Sequence, residues 1–233
     1  MTDADATSSG GVGVVIVAAG AGARLGAGMP KAFVEVGGRS LLSYAVERAA
    51  AVADLAALVI VVAEQVLAHR AWPADVEAVL PAGARWVAGG AERSDSVRAG
   101  LAALGGDAGD VVLIHDAARA FTPTSVFDDV VAAVRAGAAG AVPGLPVVDT
   151  IKTVDAHGVI TGTPDRSVLR AVQTPQGFRA EVLRAAYASG LDATDDAALV
   201  ELAGHHVVVV DGHPLAFKVT TPEDLERAAL LVR

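Results

Sequence analysis

The 233-residue chain predicts an α/β fold: a doubly wound, mostly parallel, Rossmann-like sheet with a protruding β-arm. Short β-branched runs at residues 12–18, 58–63, 111–114 and 207–210 lack polar alternation, as buried parallel strands covered on both faces do. Helical patterns lie between them, at 40–53, 94–104, 123–136, 180–188, 195–203 and 222–232, and this alternation is that of a doubly wound sandwich. From about 143 to 171 the rhythm breaks into prolines, glycines and two strand-like runs (147–154 and 159–161) with no helix, which reads as a two-stranded arm.

Taken in order, residues 1–11 are small, polar and acidic and read as a flexible tail, lacking the basic start and apolar stretch of a signal peptide. Residues 12–233 read as a single domain, with no repeat and no linker rich enough in Gly or Pro to divide them. Thr122-Pro123 and Thr221-Pro222 each place a capping hydroxyl before a proline at the first helical position, and Asp224 follows Thr221 at capping-box spacing. An isolated hairpin needs a surface to pack on, so the arm predicts a second subunit.

Composition excludes several classes. With no cysteine there is no disulfide scaffold, thiolate nucleophile or Cys-ligated metal. A net charge of -9 argues against polymeric nucleic acid or an anionic membrane as main partner, while leaving room for a local cationic site for small phosphates. The apolar runs fall well short of the ~20 residues that span a bilayer. A soluble, cytoplasmic protein is expected.

The first strand opens into Ala18-Ala19-Gly20-Ala21-Gly22-Ala23-Arg24-Leu25-Gly26, followed by Pro30-Lys31. A dinucleotide fingerprint needs glycine where Leu25 stands, and a P-loop needs a Gly-Lys-Ser/Thr run that is missing. The remaining readings are a tight turn, or a loop that wraps a triphosphate through backbone N–H groups and adds the cations Arg24 and Lys31. Only three of the 18 basic residues are lysines: Lys31, Lys152 and Lys218. A compact ammonium is therefore informative where it occurs; Lys218 precedes the last capped helix, whereas Lys152 reads as an exposed arm residue.

Gly89-Gly90-Ala91-Glu92-Arg93-Ser94-Asp95-Ser96-Val97 opens a helix after a short strand; Ser94 or Ser96 is placed to bond a base or sugar, or the run is an ordinary cap with Arg93 and Arg98 solvated. His115-Asp116-Ala117-Ala118-Arg119 follows a buried strand. Asp116 there suits Mg2+ held together with phosphate oxygens, Arg119 offers a guanidinium fork, and the competing reading is an ion pair between Asp116 and an arginine. His115 reads as a packed strand-end histidine, His205-His206 as turn residues without a role, and Thr194 as a helix cap. Arg166 would be surplus on an ordinary loop.

These runs, with Asp149-Thr150, Asp165-Arg166, Thr174-Pro175-Gln176, Thr194-Asp195 and Lys218-Val219-Thr220, closely resemble the 2-C-methyl-D-erythritol 4-phosphate cytidylyltransferases from about Val14 to the C-terminus. The resemblance implies a dimeric nucleotidyltransferase in which the phosphate of methylerythritol phosphate attacks the α-phosphorus of CTP and diphosphate leaves. It implies that Arg24 and Lys31 stabilise the reacting phosphorus and that Ala18, Ala19, Gly20, Gly22, Gly90, Ser96 and Ala117 hold the nucleotide. It further implies that Asp116 binds Mg2+ or another divalent cation, that Lys218 touches both substrates, and that Lys218 and Arg166 are catalytic along with Arg24 and Lys31. Arg119, Thr150, Arg166, Thr174 and Thr194 fall to the methylerythritol phosphate, with Thr150 and Arg166 reaching across from the neighbouring subunit's arm. The family usually carries proline where this chain has Ala120, and a basic residue where it has Val148. Rival readings are a same-fold nucleotidyltransferase acting on ribitol phosphate or a sugar phosphate, and a non-catalytic nucleotide sensor.

Overall fold

The computed structural model describes residues 10–20, 22, 25, 28–191 and 193–232. The expected tail, apart from Gly10 and Gly11, and the loop cation Arg24 lie outside the described residues. In chain order the elements are β1 (Val12–Val17), β2 (Glu35–Val36), β3 (Arg39–Ser40), α1 (Leu41–Ala50), β4 (Leu55–Val62), α2 (Glu64–His69), α3 (Ala74–Glu77), β5 (Arg85–Ala88) and α4 (Arg93–Leu104). They continue with β6 (Val111–Asp116), α5 (Thr124–Arg135), β7 (Gly140–Pro146), β8 (Thr153–Val154), β9 (Ile160–Gly162), β10 (Arg170–Val172) and β11 (Gln176–Arg179). The last four are α6 (Ala180–Ala188), α7 (Asp196–Leu202), β12 (Val207–Asp211) and α8 (Pro222–Ala229).

The main sheet runs β10-β7-β11-β6-β1-β4-β5, with β12 alongside β7. Its β5-β4-β1-β6 portion is parallel, β12 joins β7 in parallel, and β11 and β10 enter antiparallel. Alternate residues of β1 sort to opposite faces, as a pleated strand requires. Val12, Val14 and Ile16 pack with Leu42, Val46, Phe127 and Val130 of α1 and α5. Val15 packs with Val97, Leu101 and Leu183 of α4 and α6 on the other face. A smaller cluster joins Leu41, Tyr44, Phe121, Val219 and Ala228, and so fastens α8 and the segment before it to the first helix.

Ser40 caps α1 by accepting from the Ser43 N–H, and Thr221 and Asp224 form the expected capping box on α8. The Thr122 cap does not form. Its hydroxyl donates to the Arg119 carbonyl at 2.9 Å, Pro123 takes the cap position, and α5 starts at Thr124. The run at 207–210 is a strand, but the expectation that it is fully buried fails: Val208 and Val209 are 42% and 51% exposed. It lies beside β7 at the margin of the sheet and, among the described residues, pairs with that strand alone. β8 and β9 pair antiparallel as the arm hairpin, with only a single turn at Arg166–Val168 in place of a helix. β7 and β10 tie the root of the arm into the main sheet.

Candidate active site

In the parallel portion, β4 and β5 lie on one side of β1 and β6 on the other, so the strand order reverses between β1 and β6. Connections leave such a point in opposite directions and open a crevice at the carboxyl ends of the strands. Main-chain bonds carry the sheet pattern past its last residues: Ala18 N–H donates to Val61 O (2.8 Å), Ala117 N–H to Val17 O (3.1 Å) and Gly89 N–H to Val62 O (2.7 Å). Val219 N–H donates to Ala118 O (2.9 Å) and brings the late lysine to the same edge.

The result is a cleft of about 230 Å³ lined by Ala18, Ala19, Gly20, Lys31, Gly90, Ser96, Asp116, Ala117 and Lys218, with Glu92 and Arg93 on its rim. Small residues form the floor, where bulk would close it. Gly22 has φ +68°, and a Cβ there would stand 2.5 Å from the Lys31 Cβ; glycine lets the loop pass directly against the lysine.

The charges form one chain. Asp116 accepts from Lys218 Nζ at 2.7 Å and from Arg93 Nε at 3.2 Å. Arg93 Nη2 continues to Asp196, 2.8 Å away, and Asp196 also accepts from the Tyr187 hydroxyl at 2.5 Å. Burial opposes ionisation of Asp116, but Arg93 first and Lys218 second outweigh it and hold the carboxyl below the usual range. Burial likewise works against the charge on Arg93, and Asp196 and Asp116 together raise its pKa above the ordinary value. For Tyr187, burial and then the neighbouring carboxylate of Asp196 push the phenol up. The Asp116 side chain is 10% exposed and that of Lys218 42%, so the lysine reaches solvent and the carboxylate barely does.

An ion pair between Asp116 and an arginine is therefore present, and Arg93 is held between two carboxylates with only part of its side chain in solvent; Arg98 pairs with Asp95 at the surface. Sequence reasoning passed over Arg93 as a site residue. Its one signal was adjacency to Gly89-Gly90, which cannot reveal carboxylates arriving from β6 and α7. The expectation for His115 holds: it is fully buried, packs 4.9 Å from Phe127, and burial pushes its pKa down to about 4. Thr174 lies beneath Asp116, where its hydroxyl accepts from the Asp116 N–H at 3.1 Å and meets His115 Nδ1 at 3.1 Å.

Arg119 stands beside the cleft and donates to the carbonyls of Ala216 (2.7 Å) and Val172 (3.3 Å). Thr194 lines a separate cavity with Arg98 and Tyr187, and the α7 cap is Asp195, not Thr194. Ser96 is buried in the cleft wall and donates to Glu92 O at 3.3 Å. Thr150 and Arg166 are exposed on the arm, outside the cleft, and Arg166 donates to Val148 O at 2.6 Å; the backbone supplies this contact despite the unusual residue there. Lys152 is exposed on the arm as expected, bonded to Thr163.

No group of three or more His, Asp or Glu stands together among the described residues, so a cage made of protein side chains is not formed there. The donor set fits Mg2+, which takes one or two carboxylates and leaves the remaining positions to phosphate and water. Asp116 is ionised, lines the cleft, and has two of its roughly four lone-pair directions engaged.

A family model described as IspD, 2-C-methyl-D-erythritol 4-phosphate cytidylyltransferase, matches residues 12–233. A protein of that name from Nocardia farcinica is 52% identical over 234 residues, covering 100% of this chain and 97% of the relative. Another from Rhodococcus jostii is 51% identical, covering 92% of each. Among solved structures, the Thermus thermophilus protein of the same name is 37% identical with a TM-score of 0.74, over 96% of this chain and 99% of that one. A 4-diphosphocytidyl-2C-methyl-D-erythritol synthase from Anaerococcus prevotii gives a TM-score of 0.81 at 28% identity, over 95% and 98%.

Proposed function

The chain belongs to the 2-C-methyl-D-erythritol 4-phosphate cytidylyltransferases and transfers a cytidylyl group from CTP to that phosphate in non-mevalonate isoprenoid synthesis; from this premise we propose how its residues divide the work. The observation that carries the proposal is the meeting of Lys31, Asp116 and Lys218 in one cleft with the glycine turn.

A phosphate oxygen of methylerythritol phosphate bonds to the α-phosphorus of CTP. The bond from that phosphorus to the bridging oxygen breaks, and diphosphate leaves with the electron pair. The nucleophile is already an anion, so no covalent enzyme intermediate and no general base are needed. What remains is positioning and charge stabilisation. In this reading the backbone around Ala18, Ala19, Gly20 and Gly22 cradles the triphosphate, while Gly90, Ser96 and Ala117 hold the cytidine end. Lys31, with Arg24 from the same loop, neutralises charge growing on the reacting phosphorus and on diphosphate. Lys218 exchanges Asp116 for phosphate oxygens, which its exposure favours.

Asp116 would hold Mg2+ or another divalent cation, which when bound supplies positive charge to the phosphate oxygens. Arg93 keeps Asp116 ionised while Lys218 is engaged elsewhere. Thr174 and Arg119 support the methylerythritol phosphate side through the loops they brace, and Thr194 stands at its outer margin.

The arm is proposed to pair two subunits, so that Thr150 and Arg166 of one reach the cleft of the other. Its exposed Val148, Val154, Val159, Ile160 and Val168 supply apolar surface for that contact. No helix among the described residues is long and apolar enough to cross a membrane, and a cytoplasmic setting is part of the same reading.

A substrate panel tests the assignment. Diphosphate should be released with CTP and methylerythritol phosphate, and not with ribitol phosphate, or with UTP or GTP plus a hexose phosphate. Equal release with a rival pair would overturn it, and CTP binding without turnover would mean a sensor.

A further inference from the structure

Gln173, Thr174 and Gln176 are buried where the chain passes from β10 into β11, and none of them lines the cleft. Each nevertheless grips a segment that carries a member of the charge chain or the lysine that meets it in the cleft. Thr174 holds the backbone of Asp116. Gln176 accepts from Ala197 N–H (3.0 Å) and donates to Asp195 (2.9 Å), fixing the start of α7 beside Asp196. Gln173 closes on His213 twice: its Nε2 donates to the His213 carbonyl at 3.0 Å, and its Oε1 accepts from the His213 N–H at 2.9 Å.

The site of that double bond matters. β12 follows β7 as far as Asp211, and Gly212 N–H still donates to Gly144 O (3.1 Å), so His213 is the first residue past the strand pairing. The side-chain amide of Gln173 takes the place of a backbone bridge just there. His213 then starts the turn Pro214–Ala216, whose Ala216 carbonyl receives Arg119, and Lys218 follows at once. Packing is close: a Cβ on Gly212 would stand 2.6 Å from Gln173 Oε1 and 3.0 Å from the Gly144 backbone. The Lys218 ammonium has Asp116 as its hydrogen-bonded anchor, so once phosphate displaces that bond the backbone direction decides where it points.

We propose that Gln173 is a positioning residue for cytidylyl transfer, fixing from behind the cleft the turn that aims Lys218 at the reacting phosphates. This rests on the reading of Lys218 as a phosphate contact. Replacing Gln173 by methionine keeps the length and apolar packing but strips both bonds from His213, whose part-buried N–H then lacks its partner.

A double-mutant cycle tests it: Gln173→Met, Lys218→Ala and the pair, each measured for kcat and for both KM values, with melting curves alongside. Gln173→Met should lower kcat by about 10- to 100-fold, the scale of a misplacement near 1 Å, and change KM for CTP less. On the Lys218→Ala background the same change should lower kcat by less than about 2-fold, since interacting sites are not additive. The drop in melting temperature should be the same on both backgrounds. A full loss of kcat repeated on the Lys218→Ala background would overturn the inference. Normal turnover by Lys218→Ala alone would instead sink the reading beneath it. If Gln173→Met does not fold, Gln173→Glu, which keeps the acceptor and loses the donor, or Gly212→Ala, which crowds the clamp, enters the same cycle with the same expectations.

Discussion

Asp196 makes the sharpest stability prediction, because its carboxylate is wholly buried and has two partners of different kind. Asp196→Ala removes an ion pair with Arg93 and a hydrogen bond from Tyr187; about 1.5–3 kcal/mol for each contact to the charged group gives roughly 3–6 kcal/mol together. Arg93 keeps Asp116 and has a side chain 31% exposed, so solvent recovers part of the loss. The lower end, about 3 kcal/mol, is therefore expected, in line with other broken buried pairs. For a chain of this size that lowers Tm by roughly 6–12 °C. Asp196→Asn keeps an acceptor for the tyrosine and should lose about half as much. Calorimetric melts of the two variants and of Tyr187→Phe, at equal concentration and without ligand, measure this. If Asp196→Ala melts within 1 °C of the parent (a margin of about 0.3–0.5 kcal/mol), the charge chain does not hold Arg93 as described.

Lys31→Ala should cut turnover by about 10²-fold or more, as loss of one transition-state donor does, with CTP affinity by titration calorimetry changed far less; an equal loss of both would make Lys31 a ground-state contact. Arg166→Ala should raise KM for methylerythritol phosphate and spare CTP binding. Mixing Arg166→Ala with Lys31→Ala subunits should restore part of the activity, whereas absence of recovery would place the arm's action within its own subunit. His115 makes stability pH-dependent. Burial pushes its pKa down to about 4 from an ordinary 6.5, so between these values the unfolded chain binds the extra proton and stability falls as pH drops. The total is about 3 kcal/mol across that window, flat above 6.5, with Asp116 adding loss in the same direction at lower pH. Urea melts from pH 7 to pH 4 should show a shallower slope for His115→Asn; identical slopes would contradict the assignment.

The parallel core and the cleft floor were legible because their causes are local. Runs rich in Val, Ile and Leu mark β1, β4 and β6, and glycines and alanines at their carboxyl ends mark the crevice. β7 was not legible, because Pro143 and Pro146 make its run look like loop, and β10 and β11 are short and lie beyond the arm. Lys31, Asp116 and Lys218 could be read individually from residue type and place after a strand. Arg93 could not, since its role comes from Asp116 and Asp196, which lie far from it in sequence. Thr174 shows the converse: its motif marked it for substrate, while its hydroxyl faces the backbone of Asp116. The exposure of β12 depends on its neighbours in the sheet, which composition does not encode.

A crystal structure with CTP, Mg2+ and methylerythritol phosphate is the most direct test of the central claim. The α-phosphate should lie within hydrogen-bonding reach of Lys31 and Lys218, with the cation on Asp116. A triphosphate bound away from the glycine turn, with Lys218 still paired to Asp116, would contradict it.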